Sequence, residues 1–210
     1  MSEFIEIKAN ENSILNRRLV YGFGVNDADY IVQPVINGKQ VMCPYYRKWH
    51  SMLVRCYSAK LQELRPTYIG ATVCKEWLTF SNFKGWMEGQ YWEGLDLDKD
   101  IIKPRNKVYS PDVCCFVPKK LNTLLGDCEA SRGCYPQGID LKDGKYRVRC
   151  RYNGESKHLG SFKTIEAASL VYRKFKANLV SEIAAKQENK QIERGLMLHA
   201  AIILKGDSYE

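Results

Sequence analysis

The chain has 210 residues with 32 Lys and Arg against 24 Asp and Glu, a formal net charge of +8, and a hydrophobic fraction of 45% that is ordinary for a globular protein. No apolar run approaches the roughly 18–20 residues of a membrane span, and the acidic N-terminus lacks a signal-peptide pattern. We therefore expect a cytoplasmic protein of one large or two small domains with a polyanionic partner, although charge alone would also fit a ribosomal or membrane-surface role.

The first 42 residues are predicted to be an N-terminal arm that leads into an extended segment. Residues 1–20 are polar, with room for a short helix. Between Tyr21 and Lys39 we predict either an extended segment or a hairpin around Asn37-Gly38, because a tight hairpin turn needs positive φ angles that Asn and Gly tolerate.

Two helices with apolar faces are predicted next. The first runs from Pro44 to Tyr57, because proline suits the first helical position and the apolar residues recur along one stripe. The second is predicted over Glu76–Met87. Its aromatic residues fit a buried core at helical spacing better than a surface for stacking on unpaired bases. They are Trp77, Phe80, Phe83 and Trp86.

Residues 95–125 have the order strand, loop, strand, helix, which is that of a ββα nuclease element. We predict a strand or hairpin arm over Leu95–Ile102, a returning strand over Cys114–Val117 and a short helix over Lys119–Leu125. Asp98 and Asp100 would then point the same way, because residues i and i+2 of a strand share a face.

Four motifs in this part of the chain resemble a known family, mostly of phage-encoded proteins, the HNH-type or homing-type endonucleases. They are W-x-x-M-x-x-R-C from Trp49, V-C-x-E-W-x-x-F-x-x-F from Val73, L-D-K-D-I from Leu97 and N-K-x-Y-S-P-x-x-C from Asn106. We interpret residues 43–125 as an HNH-like domain on the strength of this resemblance.

The resemblance implies a catalytic site for metal-dependent cleavage of DNA. Such a nuclease needs a general base, a divalent metal and ligands that hold the metal. Asp98, Asp100 and Asn106 would hold Mg²⁺ or Mn²⁺, since hard cations prefer oxygen ligands. Lys99 stands where the family has His, and it would need a strongly lowered pKa to act as a base. His50 is the other candidate base, and a charged turn without catalytic activity is the alternative interpretation.

Four of the eight cysteines are candidates for a structural Zn²⁺ site. They come from separated segments and could bind the ion tetrahedrally: Cys43, Cys56, Cys74 and Cys114. The spacing does not require a metal, because no C-x-x-C pair is present among them. Buried cysteine also behaves as a small hydrophobic residue, which is the alternative for these four. In a cytoplasmic protein either use is favoured over disulfides.

After a predicted linker at residues 126–134, two hairpin signals bracket a strand. Asp143-Gly144 and Asn153-Gly154 flank Lys145–Tyr152, and a further strand is predicted over Glu155–Ser161. A helix from Thr164 to Lys186 follows, with apolar residues at helical spacing that can cover the back of the sheet. The sequence thus predicts an α+β protein in which a three-stranded antiparallel sheet packs on one helix.

Basic and apolar residues alternate along the predicted strand Lys145–Tyr152, so three guanidinium groups share one face while Val148 and Cys150 face the core. The guanidinium groups belong to Arg147, Arg149 and Arg151. Such a row has the charge and the donor geometry for the major groove of DNA and its phosphates.

Residues 135–186 resemble the Apetala-two/ethylene-response-factor DNA-binding domain, a module that is common beside HNH-type nucleases. The matching residues are Gly138-Ile139, Gly144-Lys145-Tyr146, Leu159 to Phe162, Thr164, Glu166 to Ala168 and Tyr172. The resemblance implies that the sheet enters the major groove. The DNA-binding candidates are Lys142, Arg147, Arg149, Arg151 and His158. Two positions depart from the family: Asp140 replaces a basic residue, and His158 replaces a frequent Trp.

The C-terminal residues 187–210 are predicted to hold a second amphipathic helix and a tail. The helix would run over Lys186–Leu204 with a break near Gly195. It could dock on the N-terminal domain or form a homodimer contact. His199 lies in its apolar stretch, where a structural role is favoured.

The whole sequence therefore predicts a DNA-binding protein of two parts, a nuclease-like domain and a sheet that positions it on duplex DNA. Metal-dependent nicking or cleavage is one expected activity. The alternative is a degenerate nuclease that only binds, as a transcription regulator or as a phage inhibitor of a host protein. An RNA-binding protein is the third possibility. If the chain is phage-encoded, the host cytoplasm is its expected compartment.

Overall fold

The structure, a computed structural model, describes residues 3–126 and 134–206. Its contacts divide the chain into two compact units, one of Met1–Glu93 with Lys107–Cys114 and one of Gly94–Asn106 with Cys115–Glu210. The segment predicted to be HNH-like is therefore shared between the units. The predicted linker lies largely outside the described residues. No helix within the two described ranges is long and apolar enough to cross a bilayer.

The N-terminal part of the first unit contains a short helix and a hairpin. Helix α1, Glu11–Leu15, begins after Asn10, whose side chain accepts a hydrogen bond of 2.7 Å from the backbone N–H of Ser13. Strands β1, Val35–Ile36, and β2, Lys39–Gln40, pair antiparallel around Asn37-Gly38. Both turn residues have positive φ, 51° and 75°, so the structure has the hairpin, which is one of the two predicted forms.

Helices α2, Pro44–Tyr57, and α4, Phe80–Glu88, form the core of the first unit. The bounds of α2 are those that the sequence predicts. The prediction of one helix over residues 76–87 is wrong, because a 3₁₀ helix ends at Leu78 and Thr79 is extended. Thr79 is extended because its backbone pairs with that of Val25. The Val25 N–H donates to Leu78 O at 2.8 Å, and the Phe80 N–H donates to Val25 O at 3.0 Å.

The large side chains between these helices are fully buried, which confirms the aromatic core. They are Trp49, Met52, Leu53, Trp77, Phe80, Phe83 and Met87, while Trp86 is partly buried beside Trp77. The same unit contains helix α3, Ala59–Leu64, and a 3₁₀ helix at Pro66–Tyr68. Strands β3, Thr72–Val73, and β5, Val108–Tyr109, pair in parallel.

The second unit begins with a strand, a loop, a strand and a helix. Strand β4, Asp96–Asp98, pairs antiparallel with β6, Cys115–Val117, and helix α5, Lys119–Leu125, follows. The strand predicted over residues 95–102 is too long, so Asp98 and Asp100 do not share a strand face. The strand stops at Asp98 because its Oδ1 accepts the backbone N–H groups of Asp100 and Ile101, each at 2.7 Å, which bends the chain into a turn.

Three antiparallel strands follow in the order β7-β8-β9, as the hairpin signals predict. They are β7, Ile139–Lys142, β8, Lys145–Tyr152, and β9, Glu155–Phe162. Two-residue turns join them. Asp143 and Asn153 have φ angles of 51° and 53°, and the glycines after them are also positive, as such turns require.

Helix α6, Ile165–Ala184, covers one face of this sheet. Its Thr164 cap accepts the backbone N–H of Ala167 at 3.3 Å. The residues enclosed between helix and sheet are Ile139, Val148, Cys150, Ala168 and Tyr172. Gly138 allows the close approach, because a Cβ there would lie 2.1 Å from a ring carbon of Tyr172.

Helix α7, Lys190–Lys205, packs on α6 and encloses a second cluster with β6 and α5. The predicted break near Gly195 is wrong, since the helix continues through it. Gly195 instead lets the helix axis approach the turn after β4, because a Cβ there would lie 2.1 Å from the carbonyl oxygen of Ile101.

Candidate nucleic-acid interface

The face of the sheet opposite α6 carries the predicted arginine row. Along β8 the backbone alternates as expected, so Val148 is 0% exposed in the core while Arg149 and Arg151 are exposed. Arg147 is partly covered. We call this surface the arginine face and define it by five side chains on the outward side of the sheet. They are Lys142, Arg147, Arg149, Arg151 and His158.

An irregularity in β9 brings His158 to this face. The register shifts between Val148 and Arg149, so that Val148 lies opposite Gly160 whereas Arg149 lies opposite His158. Leu159 is the extra residue of a β-bulge, and it packs against the core under the sheet. Gly160 accommodates the irregular backbone with a φ of 127°. Without the bulge, Leu159 would point outward at this position.

Two shallow depressions on the arginine face contain all five predicted DNA contacts. Arg149 and Arg151 line the first, with Asp140 and Ser156 at its polar wall. The second is lined by Lys142, Asp143, Lys145, Arg147, His158 and Ser161. The structure therefore places the predicted residues on one continuous surface, although contact with DNA stays a prediction.

Asp140 binds two of the arginines, which sequence reasoning did not predict. Its carboxylate accepts hydrogen bonds from Arg147 through Nε, at 3.0 Å, and through Nη2, and from Arg149 Nη2 at 3.2 Å. The hydrogen bond from Arg147 lowers the pKa of Asp140 below its usual range, and the same bond raises the pKa of Arg147. Asp140 and Arg147 are cross-strand partners, so only the register of β7 against β8 could have revealed the pair.

The predicted catalytic residues of the second unit meet in the turn after β4. Lys99 is 5% exposed, and its Nζ lies 2.6 and 2.8 Å from the two carboxylate oxygens of Asp100. The same ammonium donates to the backbone oxygen of Asn106 at 2.8 Å, and the Asn106 side-chain amide donates to Lys99 O at 2.9 Å. The turn is thus closed by reciprocal hydrogen bonds that join residues 99 and 106.

Two histidines differ in their relation to this turn. His199 of α7 is buried, and its Nε2 lies 2.9 Å from the backbone oxygen of Asp100. Burial is the main cause that lowers its pKa. His50, the predicted alternative base, belongs to the other compact unit, and its ring contacts those of Tyr21 and Tyr46. Burial lowers the pKa of His50 as well. The contact of His199 spans 99 residues of sequence, so no local pattern could have predicted it.

The turn does not fit a divalent metal as it is arranged. Both oxygens of Asp100 face the Lys99 ammonium, which supplies the positive charge that a metal would supply. Asp98 is turned toward backbone N–H groups, and burial followed by the nearby Asp100 charge raises its pKa, which weakens it as an anionic ligand. Within the described residues, no three His, Cys, Asp or Glu side chains are grouped for metal binding.

The four cysteines proposed for zinc lie in the first unit. Cys43, Cys56 and Cys114 are buried and Cys74 is partly buried, and no disulfide joins them in the described ranges. Cys43 Sγ lies 3.5 Å from the hydroxyl of Tyr30. No three of these thiols are grouped for metal binding in the part of the chain that the structure describes, and a zinc ion stays a prediction.

No protein-family model matches this sequence. No curated protein and no solved structure matches it either. The functional argument therefore depends on the residues and on the geometry described above.

Proposed function

We propose that the protein binds duplex DNA through the arginine face. The observation that carries this proposal is the outward row of guanidinium groups on a sheet whose other side is closed by α6. Phosphates attract such a row, and arginine is the side chain that most often reads guanine edges in the major groove. The segment 135–190 also holds 12 Lys and Arg against 6 Asp and Glu, a net +6 of the +8 total.

The size of the sheet supports insertion into the major groove. Neighbouring strands lie about 4.8 Å apart, so the three strands span about 10 Å between the outer backbones. The major groove of B-DNA is about 12 Å wide. Resemblance to a family that uses such a sheet for DNA adds to this support, as does the exposure of Arg149 and Arg151.

Alanine substitutions on the arginine face test the proposal. We expect each of three variants to bind duplex DNA more weakly: Arg147→Ala, Arg149→Ala and Arg151→Ala. If the side chain contacts a base, the loss should be roughly 1–3 kcal/mol. If it contacts a phosphate, the slope of the logarithm of the binding constant against the logarithm of the salt concentration (the salt slope) should fall by about one. Fluorescence anisotropy at several salt concentrations measures both. Lys174→Ala, which removes an exposed cation of α6, is the matched control. Wild-type affinity in the triple arginine variant would refute the proposal.

Metal-dependent nicking of DNA is the second candidate function. The resemblance of residues 43–125 to HNH-type nucleases supports it, together with the antiparallel pairing of β4 with β6 ahead of α5. The catalytic residues would be Asp98, Asp100 and Asn106, and Lys99 would have to leave Asp100 before a metal could bind. The bonds of Lys99 favour the other alternative, a degenerate nuclease that acts by binding alone, as a regulator or as an inhibitor of a host protein.

A plasmid-nicking assay separates these two candidates. Wild type and the double variant Asp98→Ala plus Asp100→Ala are compared in Mg²⁺ and in Mn²⁺, after both have been matched for DNA affinity. Nicking by wild type that the double variant loses would support the enzyme. Equal residual nicking by wild type and the double variant would exclude these residues as the catalytic site and would favour the protein that only binds DNA.

RNA is the remaining alternative ligand. The major groove of A-form RNA is deep and narrow, so a three-stranded sheet could not enter it. Competition between duplex DNA and structured RNA for a labelled duplex, at several salt concentrations, ranks the two ligands. We expect the DNA to compete more strongly.

A further inference from the structure

Asp140 places a negative charge on the arginine face, on the edge strand β7. Its Cα lies opposite that of Arg147 across the β7–β8 pair, and its side chain is half-buried between the arginines. A carboxylate at this position repels phosphates, so it lowers the affinity of the face for any DNA. A surface that served only to hold the DNA backbone would gain by losing it.

The hydrogen bonds of Asp140 leave most of the guanidinium donors available. A guanidinium group carries five N–H donors. Arg147 gives Asp140 one from Nε and one from Nη2, and Arg149 gives one from Nη2. The remaining N–H donors can still bind a ligand, while Asp140 fixes the orientation of both guanidinium planes. Arginine normally loses rotamer freedom on binding, and a side chain that is held beforehand loses less.

We propose that Asp140 is a positioning residue for base readout, an inference that rests on the proposed DNA-binding function. It orients Arg147 and Arg149 so that their outward N–H groups meet base edges at fixed angles. It also offsets part of the positive charge that would otherwise bind phosphates of any sequence. The arginine face thereby becomes selective for certain base pairs, at the expense of affinity for DNA in general.

Asp143 offers a matched control for the charge of Asp140. It lies in the β7–β8 turn and lines the same depression as Arg147. Within the described ranges, its carboxylate accepts no hydrogen bond from Arg147 or Arg149. Asn suits the positive φ of 51° at this position, so Asp143→Asn removes the same charge without strain. Asp140→Asn removes the charge and one of the two oxygens that accept the arginine hydrogen bonds.

The experiment selects duplexes from a library with a randomised central segment, using wild type, Asp140→Asn and Asp143→Asn of the full chain. Affinities are then measured for the site that wild type selects and for a scrambled duplex. We expect Asp140→Asn to bind the scrambled duplex more tightly, with a salt slope steeper by about one. Its ratio of affinities for selected over scrambled DNA should fall about tenfold, as expected when one arginine contact to a base loses its geometry.

A second measurement tests the positioning without DNA. In wild type, the Arg147 Nε–H should give a resolved, slowly exchanging NMR signal because the Asp140 carboxylate accepts its hydrogen bond. In Asp140→Asn a single neutral oxygen replaces two charged ones, so this signal should exchange faster. Asp143→Asn should keep that signal and the wild-type affinity ratio. Equal affinity ratios in all three proteins, or equal losses in the two variants, would overturn the inference. Absence of duplex binding by wild type, or wild-type affinity in the triple arginine variant, would instead refute the proposed DNA-binding function, and this inference would be refuted with it.

Discussion

The carboxyl groups of Asp98 and Asp140 shift their pKa values in opposite directions, and their neighbours explain why. Asp98 is partly buried, and the loss of hydration of its charged form is the main cause that raises its pKa. Asp140 receives hydrogen bonds from Arg147, which favour the charged form and lower its pKa. The first carboxyl group therefore accepts backbone N–H groups in surroundings that disfavour its charged form. The second is an anion that accepts hydrogen bonds from the guanidinium groups of Arg147 and Arg149.

The raised pKa of Asp98 predicts a pH-dependent difference from an asparagine variant. The unfolded chain releases the Asp98 proton near pH 3.9, the ordinary value for Asp. The folded protein still holds this proton at that pH, so the stability due to the raised pKa is fully present below it and is lost as pH rises through the folded pKa. The asparagine side chain of the Asp98→Asn variant would not titrate and could still accept both backbone bonds. We expect the free energy of unfolding of this variant, relative to wild type, to increase as pH rises, measured by urea denaturation.

The control for this prediction is Asp98→Ala, which removes the acceptor as well as the charge. The N–H groups of Asp100 and Ile101 would lose their partner, at a cost of about 1–3 kcal/mol. A variant Asp98→Asn that became less stable than wild type with rising pH would contradict the assigned pKa direction.

Helix α7 and the turn after β4 form one packed element through Gly195 and His199. The glycine admits the carbonyl of Ile101, and one turn later the histidine bonds the backbone of Asp100. Helix α7 therefore contacts the same turn that the hydrogen bonds between Lys99 and Asn106 close.

Gly195→Ala should destabilise the protein despite the better helix propensity of alanine. The added Cβ meets backbone atoms of Ile101, which cannot rotate away as a side chain could. Overpacking costs roughly 1–3 kcal/mol, and the propensity gain of about 1 kcal/mol offsets only part of this. Thermal unfolding measures the net loss. Gly85→Ala in α4 is the matched control, because nothing lies within 4 Å of its added Cβ, and that variant should be more stable than wild type.

Elements with a local signature were predictable from the sequence, and elements set by distant contacts were not. Asp143-Gly144 and Asn153-Gly154 specify their own turns, so the sheet follows from residues that are neighbours in the chain. The end of β4 depends on a side-chain bond of Asp98, and α4 begins late because Val25 pairs near Thr79. Alternation and helical spacing carry no information about either bond.

At the scale of the whole molecule, the arginine face depends on the core that lies behind it. Val148 and Arg149 are adjacent in sequence but point to opposite sides of β8. The first is enclosed between the sheet and α6, and the second is exposed to solvent. Substitution at the two positions should therefore fail in different ways.

Val148→Asp should abolish both folding of the sheet and binding of DNA. A buried, unpaired carboxylate costs several kcal/mol, against a typical total stability of about 5–15 kcal/mol. Arg149→Asp should abolish tight DNA binding and keep the fold, since its charge is hydrated. Circular dichroism and anisotropy on the same samples distinguish these outcomes. A folded Val148→Asp protein that bound DNA normally would contradict the placement of Val148.

The division into two compact units also lay beyond what the sequence could predict. Motif order placed residues 43–125 in one domain, because the four resembling motifs follow each other along one stretch of the chain. In the structure, residues 107–114 join the first unit through pairing of β5 with β3, while 94–106 and 115–125 belong to the second. Strand pairing over such separations leaves no trace in local composition.

Within residues 3–126 and 134–206, Cys134 is the one exposed cysteine, and it lies two positions before Pro136 at the edge of the arginine face. Buried thiols react slowly with alkylating reagents, whereas an exposed one reacts readily. With Cys128 changed to serine, a maleimide fluorophore would therefore attach first at Cys134. Its emission would then report the arrival of an unlabelled duplex directly from the protein side.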